Sequence, residues 1–215
     1  LELAIDDESS DAQDAADANA TADISTESAA DPDATDNNSI TSDDSTDSGE
    51  PVLSDEEIRA ANGPVSVIGD SVVLGARSAI KEAIPGARVD AKVSRMPGGF
   101  TGRVKKLDRR DKLANVVVVH PATNGVMNAK ILRGILDPLT DYERVVIVNA
   151  SVPRSWEKQN NKVIAKVTPD YPNVVVADWK SASDGRSDYF VSDGVHLTGS
   201  GAAAFAEVIR EASGL

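Results

Sequence analysis

Two runs, Val116-Val117-Val118-Val119 and Val145-Val146-Ile147-Val148, carry no polar residue at all. A strand with one wet face alternates apolar and polar side chains, so a strand without alternation must be covered on both faces. Four β-branched residues in a row disfavour helix, and each run is too short to be a buried helix. The strand candidates are Val65–Ile68, Ala87–Ala91, Asn115–Val119, Arg144–Val148 and Asn173–Ala177. Longer segments with helical periodicity lie between and after them: Val72–Ile84, Phe100–Leu113, Asn128–Leu139, Trp156–Thr168 and Gly201–Ala212. Strands alternating with helices predict an α/β domain, a five-stranded parallel sheet in a three-layer sandwich.

Charge divides the chain. Of its 35 acidic residues, 16 fall within residues 1–50, which hold no Lys or Arg and no aromatic residue. The rest is nearly balanced, with 19 acids against 22 bases. An acidic Asp/Ala/Ser/Thr tract offers too little apolar surface to offset the entropy of ordering it. The expected organisation is therefore a disordered acidic linker over residues 1–55 and one domain over residues 56–215. There is no Cys, which excludes disulfides and thiolate metal sites. No apolar run approaches the ~18 residues of a membrane span. The chain starts at Leu1 rather than Met, so a fragment of a longer protein is expected. The Lys105-Lys106 and Arg109-Arg110 cluster is interrupted by Asp108 and Asp111, a solvated helix face rather than a nucleic-acid site.

In a parallel sheet, sites form at the carboxyl ends of the strands. There the strands deliver Gly69-Asp70-Ser71, Lys92-Val93-Ser94-Arg95, His120-Pro121-Ala122-Thr123-Asn124-Gly125, the stretch from Asn149 to Trp156, and Asp178-Trp179; Asp193-Gly194-Val195-His196 comes just before the last helix. Ser71 stands where a strand turns into a helix, whose free N–H groups favour developing negative charge. A serine needs a base to act as a nucleophile. His196 can supply it, with Asp193 three residues earlier to fix its tautomer. Backbone N–H groups near Ser71 and Ser94 and the Asn124 amide are candidate oxyanion donors. Taken singly, Asp-Ser is also a common helix cap, Asp-x-x-His a turn, and Thr-Asn-Gly a turn. With no Cys and only one other His, metal binding is not expected.

The blocks Gly69-Asp70-Ser71-Val72, Asp90-Ala91-Lys92-Val93-Ser94-Arg95, Thr123-Asn124-Gly125 and Asp193-Gly194-Val195-His196-Leu197-Thr198 appear in the order of the SGNH (GDSL-type) hydrolase superfamily, which the chain resembles from about Val65 to Leu215. With Val152-Pro153-Arg154-Ser155-Trp156-Glu157 and Asp178-Trp179, it looks most like the extracytoplasmic domain of peptidoglycan O-acetyltransferases fused to a membrane acyltransferase-3 domain. The resemblance implies a flavodoxin-like fold, Ser71 as nucleophile, His196 as base and acid, Asp193 as its orienter, and Asn124 with the Ser94 N–H in the oxyanion hole. It implies acetyl transfer through an acetyl-serine to a glycan hydroxyl, the C6 hydroxyl of N-acetylmuramic acid being expected. The acetyl donor would be relayed by an upstream membrane domain, with no metal or soluble cofactor, in an extracytoplasmic domain. A monomer is expected, because the sequence carries no heptad or long apolar surface stripe. An esterase using water as acceptor, or a non-catalytic glycan-binding module, are the alternatives. Ser94 replaces a frequent Gly. His120 either contacts substrate or is a strand-end histidine satisfied by backbone. Arg154 and Trp156 either meet the acceptor or make structural contacts. Arg95 is a further candidate substrate contact. Trp179, ending a buried strand, belongs to the core.

Overall fold

A computed structural model describes residues 53–215; the expected linker over residues 1–55 lies almost wholly outside them. The first described element was not foreseen. Helix α1 (Asp55–Ala61) opens with a capping box, in which Ser54 accepts from the Glu57 N–H while the Glu57 carboxylate accepts from the Ser54 N–H.

Five strands follow: β1 (Ser66–Gly69), β2 (Arg88–Ala91), β3 (Val116–Val119), β4 (Arg144–Val148) and β5 (Val174–Ala177). They pair all-parallel in the order β2-β1-β3-β4-β5. This is the flavodoxin-like order, and its direction reverses between β1 and β3, where a ligand crevice is expected. The apolar runs behave as their pattern requires. Val117, Val119, Val145 and Ile147 enter the core on one face of the sheet. Val116, Val118, Val146 and Val148 enter the core on the other. Each fully buried aliphatic side chain contributes roughly 1.5–3 kcal/mol of transfer free energy, which is why the two runs hold the register of the sheet centre.

The helices are α2 (Ser71–Gly75), α3 (Arg77–Ala83), α4 (Pro97–Asp108), α5 (Ala129–Leu136), α6 (Glu157–Val167), α7 (Trp179–Ala182) and α8 (Gly199–Ser213). Phe100, Val104, Leu132, Ile135 and Ile164 bring α4, α5 and α6 onto one face. Val72, Ile80, Phe205 and Ile209 bring α2, α3 and α8 onto the other. Trp179 is in the core, stacked on Tyr189 and edge-on to Phe205.

Two helical segments differ most from expectation, and α5 ends at Leu136 rather than at Leu139. The segment expected as one helix from Val72 to Ile84 is two, joined at the buried Ala76, whose N–H reaches back to Val72 and Leu74 carbonyls. Gly75 beside it holds a helix poorly, which lets the chain bend there. Helix α4, expected from Phe100, starts at Pro97, three residues early, because Pro is pre-organised for the first turn. It stops at Asp108 rather than at Leu113, and Asp111 takes a positive φ of 51° in the turn that follows.

Candidate active site

Every chemistry-bearing block reaches the carboxyl rim of the sheet. Gly69 closes β1 against α2: a Cβ there would lie 2.2 Å from Val73 side-chain atoms. Only glycine admits so close an approach, and it turns the chain directly into Asp70 and Ser71. Asp70 is fully buried and caps α2 by accepting from the Val72 N–H at 2.9 Å. Ser71 is the first residue of α2, so its own N–H has no intrahelical acceptor. With only five residues in α2, the dipole of that helix is short. Charge stabilisation therefore falls to individual donors rather than to a long helix.

His196 arrives on a tight loop between Tyr189 and α8. Phe190 bridges Leu197, the Val191 N–H donates to the His196 carbonyl at 2.9 Å, and the Thr198 N–H donates to the Tyr189 carbonyl at 2.9 Å. The structure places Nε2 of His196 3.0 Å from Oγ of Ser71. Nδ1 of His196 lies 2.6 Å from Oδ2 of Asp193. The other oxygen of Asp193 accepts from the Val195 N–H at 2.8 Å and the His196 N–H at 2.9 Å. The His196 ring bond and these two backbone donors hold the Asp193 carboxyl at about 2, so it is ionised at neutral pH. Both His196 and Asp193 keep more than two fifths of their side-chain surface exposed. The three residues thus form an open relay that can pass a proton between the serine hydroxyl and an entering or leaving group.

Ser94 and Asn124 line the same cleft as His196, a space of about 440 Å³. Ser94 takes φ 56°, the left-handed region that favours Gly, which accounts for the residue more often found at this position in the family it resembles. Arg95 holds that loop shut: its guanidinium donates to the Asp90 carbonyl at 3.1 Å and to the Asp90 carboxylate at 2.7 Å. Arg103 donates to the other carboxylate oxygen. Burial alone would raise the Asp90 carboxyl, but the Arg103 and Arg95 guanidinium groups outweigh it and hold it below the usual range. Arg95 is therefore committed to the loop through Asp90. Asn124 donates to Asp70 at 3.2 Å and to the Arg95 carbonyl at 3.4 Å. Both bonds are long, so the amide is aimed without being saturated.

His120 corrects both readings made of it. It is 1% exposed and has no access to the cleft. Nor is its ring satisfied by backbone: Nε2 lies 3.5 Å from the Thr123 hydroxyl, and among the described residues Nδ1 has no hydrogen-bond partner, lying 3.8 Å from Asp70. Burial pushes the imidazole below its ordinary value, against partial opposition from Asp70. The ring packs against Phe205 at a steep angle, 5.3 Å away between ring centroids, beneath the rim.

Trp156 and the exposed Arg154 both line the cleft. The indole N–H of Trp156 donates to the Thr123 carbonyl at 3.0 Å, so only its ring face is available to a ligand. Among the described residues the Arg154 guanidinium is tied only to the carbonyl of Pro153, at 3.1 Å. One residue was not foreseen. Asn160, fully buried on α6, accepts from the Met127 N–H at 2.8 Å and donates to the Ala122 and Gly125 carbonyls at 2.9 and 2.8 Å. It splints both sides of Asn124, and an Asn inside a helical segment carries no local signal of that task.

No family model matches the chain. It is 37% identical over 142 residues to the peptidoglycan O-acetyltransferase OatA of Listeria monocytogenes, which covers 66% of this chain and 22% of that relative. The chain spans about a quarter of the length of the curated relatives it matches. Among solved structures it is similar to the C-terminal catalytic domain of Streptococcus pneumoniae peptidoglycan O-acetyltransferase A, bearing a methylsulfonyl adduct: TM-score 0.62, 24% identity, 68% of this chain and 90% of that one. It is also similar to a Slackia heliotrinireducens protein assigned to the SGNH hydrolases: TM-score 0.58, 15% identity, 68% of this chain and 96% of that one.

Proposed function

From a chain that has the SGNH hydrolase fold and is homologous to peptidoglycan O-acetyltransferases, we propose an acetyltransferase acting on a glycan, with Ser71 as nucleophile. The observation that carries this is the unbroken line of contacts from Ser71 Oγ to His196 at 3.0 Å and from His196 to Asp193 at 2.6 Å. Ser71 Oγ attacks the carbonyl carbon of an acetyl ester while His196 Nε2 takes its proton. The resulting oxyanion is received by the N–H groups of Ser71 and Ser94 and by the Asn124 amide. The tetrahedral intermediate collapses, the proton passes from His196 to the leaving oxygen, and acetyl-Ser71 remains. A sugar hydroxyl then gives its proton to His196 and attacks, releasing the acetylated sugar and restoring the serine.

Peptidoglycan is the acceptor we infer, with the C6 hydroxyl of N-acetylmuramic acid as the acetylated position. Trp156 offers a ring face and Arg154 a guanidinium at the cleft mouth, suited to stacking on a sugar and to holding a carbonyl or carboxylate. The donor acetyl would come from an upstream membrane acyltransferase domain, which places this domain outside the cytoplasm as a tethered monomer. Among the described residues no helix is long and apolar enough to cross a membrane.

A second reading, an esterase, draws on the exposure of His196 and Asp193, which leaves water free to reach acetyl-Ser71. One assay separates the two. With an activated acetyl ester, addition of a muropeptide or chito-oligosaccharide should give acetylated sugar at the expense of free acetate. Acetate release that sugar does not change would favour the esterase. Turnover by Ser71→Ala equal to that of the parent chain would remove Ser71 from the chemistry under both readings.

A further inference from the structure

A second cleft, of about 600 Å³, adjoins the one just described. Ser94 and Met96 line both, so the two spaces meet at the loop after β2. Its remaining wall is built by Lys92 and by the outward side of α4, with Gly99, Gly102, Arg103 and Lys106.

The charge of this groove is one-sided. Lys92, Arg95, Arg103 and Lys106 bring four cations to it, and the carboxylate that answers them is Asp90, already bonded to both guanidinium groups. Lys92 and Lys106 are exposed, and among the described residues neither forms an ion pair. Focused positive charge beside a reaction cleft raises the local concentration of anions. The floor is bare as well. A Cβ on Gly102 would meet nothing within 4 Å, and one on Gly99 only the Arg95 side chain at 3.7 Å, an ordinary contact. Glycine is a poorer helix former than Ala, and among the described residues no close contact asks for these two. They leave α4 low enough for an extended strand to lie across it between the lysines.

We propose that this groove is an anionic arm of the acceptor site, binding carboxylates carried by the glycan strand whose hydroxyl enters the Ser71 cleft. The assignment rests on the glycan-acceptor reading above and adds to it the charge class of the acceptor and the residues that recognise it. Lys92 and Lys106 act on binding alone; neither touches the reacting atoms.

The test uses the 215-residue chain and reads binding apart from chemistry. In a Ser71→Ala background, titration calorimetry would compare a muramoyl peptide with the same compound after its carboxylates are amidated. The carboxylate form should bind about five- to tenfold more tightly, with an advantage that shrinks as salt rises. Adding Lys92→Gln and Lys106→Gln together should erase that advantage without altering binding of the amidated form. In the Ser71 enzyme the same pair should raise KM for the acidic acceptor by a similar factor, keep kcat within twofold, and keep hydrolysis of a small acetyl ester unchanged. Equal binding of the two compounds by the parent chain, or a double variant indistinguishable from it, would overturn the proposal. Carboxylate-dependent binding in an enzyme that acetylates no sugar would overturn the transferase reading and still support the groove.

Discussion

Ser94, at φ 56°, sits in a conformation that costs an L-residue roughly 1–2 kcal/mol. The Arg95–Asp90 clasp supplies the contacts that hold it there. Ser94→Gly should therefore keep ester turnover within about twofold and change stability by no more than about 1 kcal/mol, measured by thermal denaturation. A large loss of turnover would show that the hydroxyl, and not only the backbone N–H, takes part. His196→Ala should lose at least ~100-fold in rate, and Asn124→Ala a similar factor with little change in melting temperature; a loss below about threefold would remove either residue from the mechanism. His120 makes a pH prediction. It is buried with a lowered pKa, so the unfolded chain binds a proton that the folded one refuses once pH drops below the ordinary value of 6.5. Stability should then fall on acidification by up to about 1.4 kcal/mol per pH unit, until the folded ring itself protonates. Chemical denaturation between pH 7 and 5 would show a shallower slope in His120→Gln. Asp193, held at about 2, acts in the same direction at lower pH: its contribution is complete above its ordinary value of 3.8 and fades as pH falls from there through about 2, so it adds no slope between pH 7 and 5.

At the scale of elements, the site is an agreement among loops that hold one another. The α6 residue Asn160 ties down the loop after β3, and the amide of Asn124 on that loop reaches both Asp70 before α2 and the Arg95 carbonyl after β2. Asn160→Leu preserves volume but leaves the Met127 N–H and two carbonyls without partners. Each buried polar group stranded in this way costs about 1–3 kcal/mol, so a loss of at least ~2 kcal/mol is expected in urea denaturation. Turnover should fall too, although Asn160 lies outside the cleft lining. A variant destabilised by that much with unchanged kcat would show that the loop does not need the splint to aim Asn124. The break at Ala76 has a similar logic. By ending α2 after one turn, it lets α3 run independently against α8, with Ile80 and Ile209 in one core.

Across the whole molecule, the sheet supplies rigidity and the rim supplies chemistry. Among the described residues, the two cores on opposite faces of the sheet draw on residues from Val65 onward. A chain beginning at Leu53 should therefore fold with a cooperative transition and retain ester turnover within about twofold. Loss of either would give residues 1–52 a part in the domain. The strand order puts β1 and β3 side by side at the point where the order reverses, so Ser71 and Asn124 follow neighbouring strands although 53 positions separate them.

The amino-acid sequence alone determined the strands: β3 and β4 are β-branched runs covered on both faces and recognisable from their own few residues, and all five strands stand within one residue of where the pattern puts them. It also brought Asp193 within reach of His196, since three positions along a turn leave little freedom. Only the tertiary structure decided that His120 lies under the rim, that Arg95 is spent on Asp90, and that Asn160 splints the Asn124 loop. A buried polar group must find a partner, but which partner depends on loops set side by side by the folding of the whole sheet. The periodicity of the chain carries no record of that choice, because it reports only how each segment meets apolar surface.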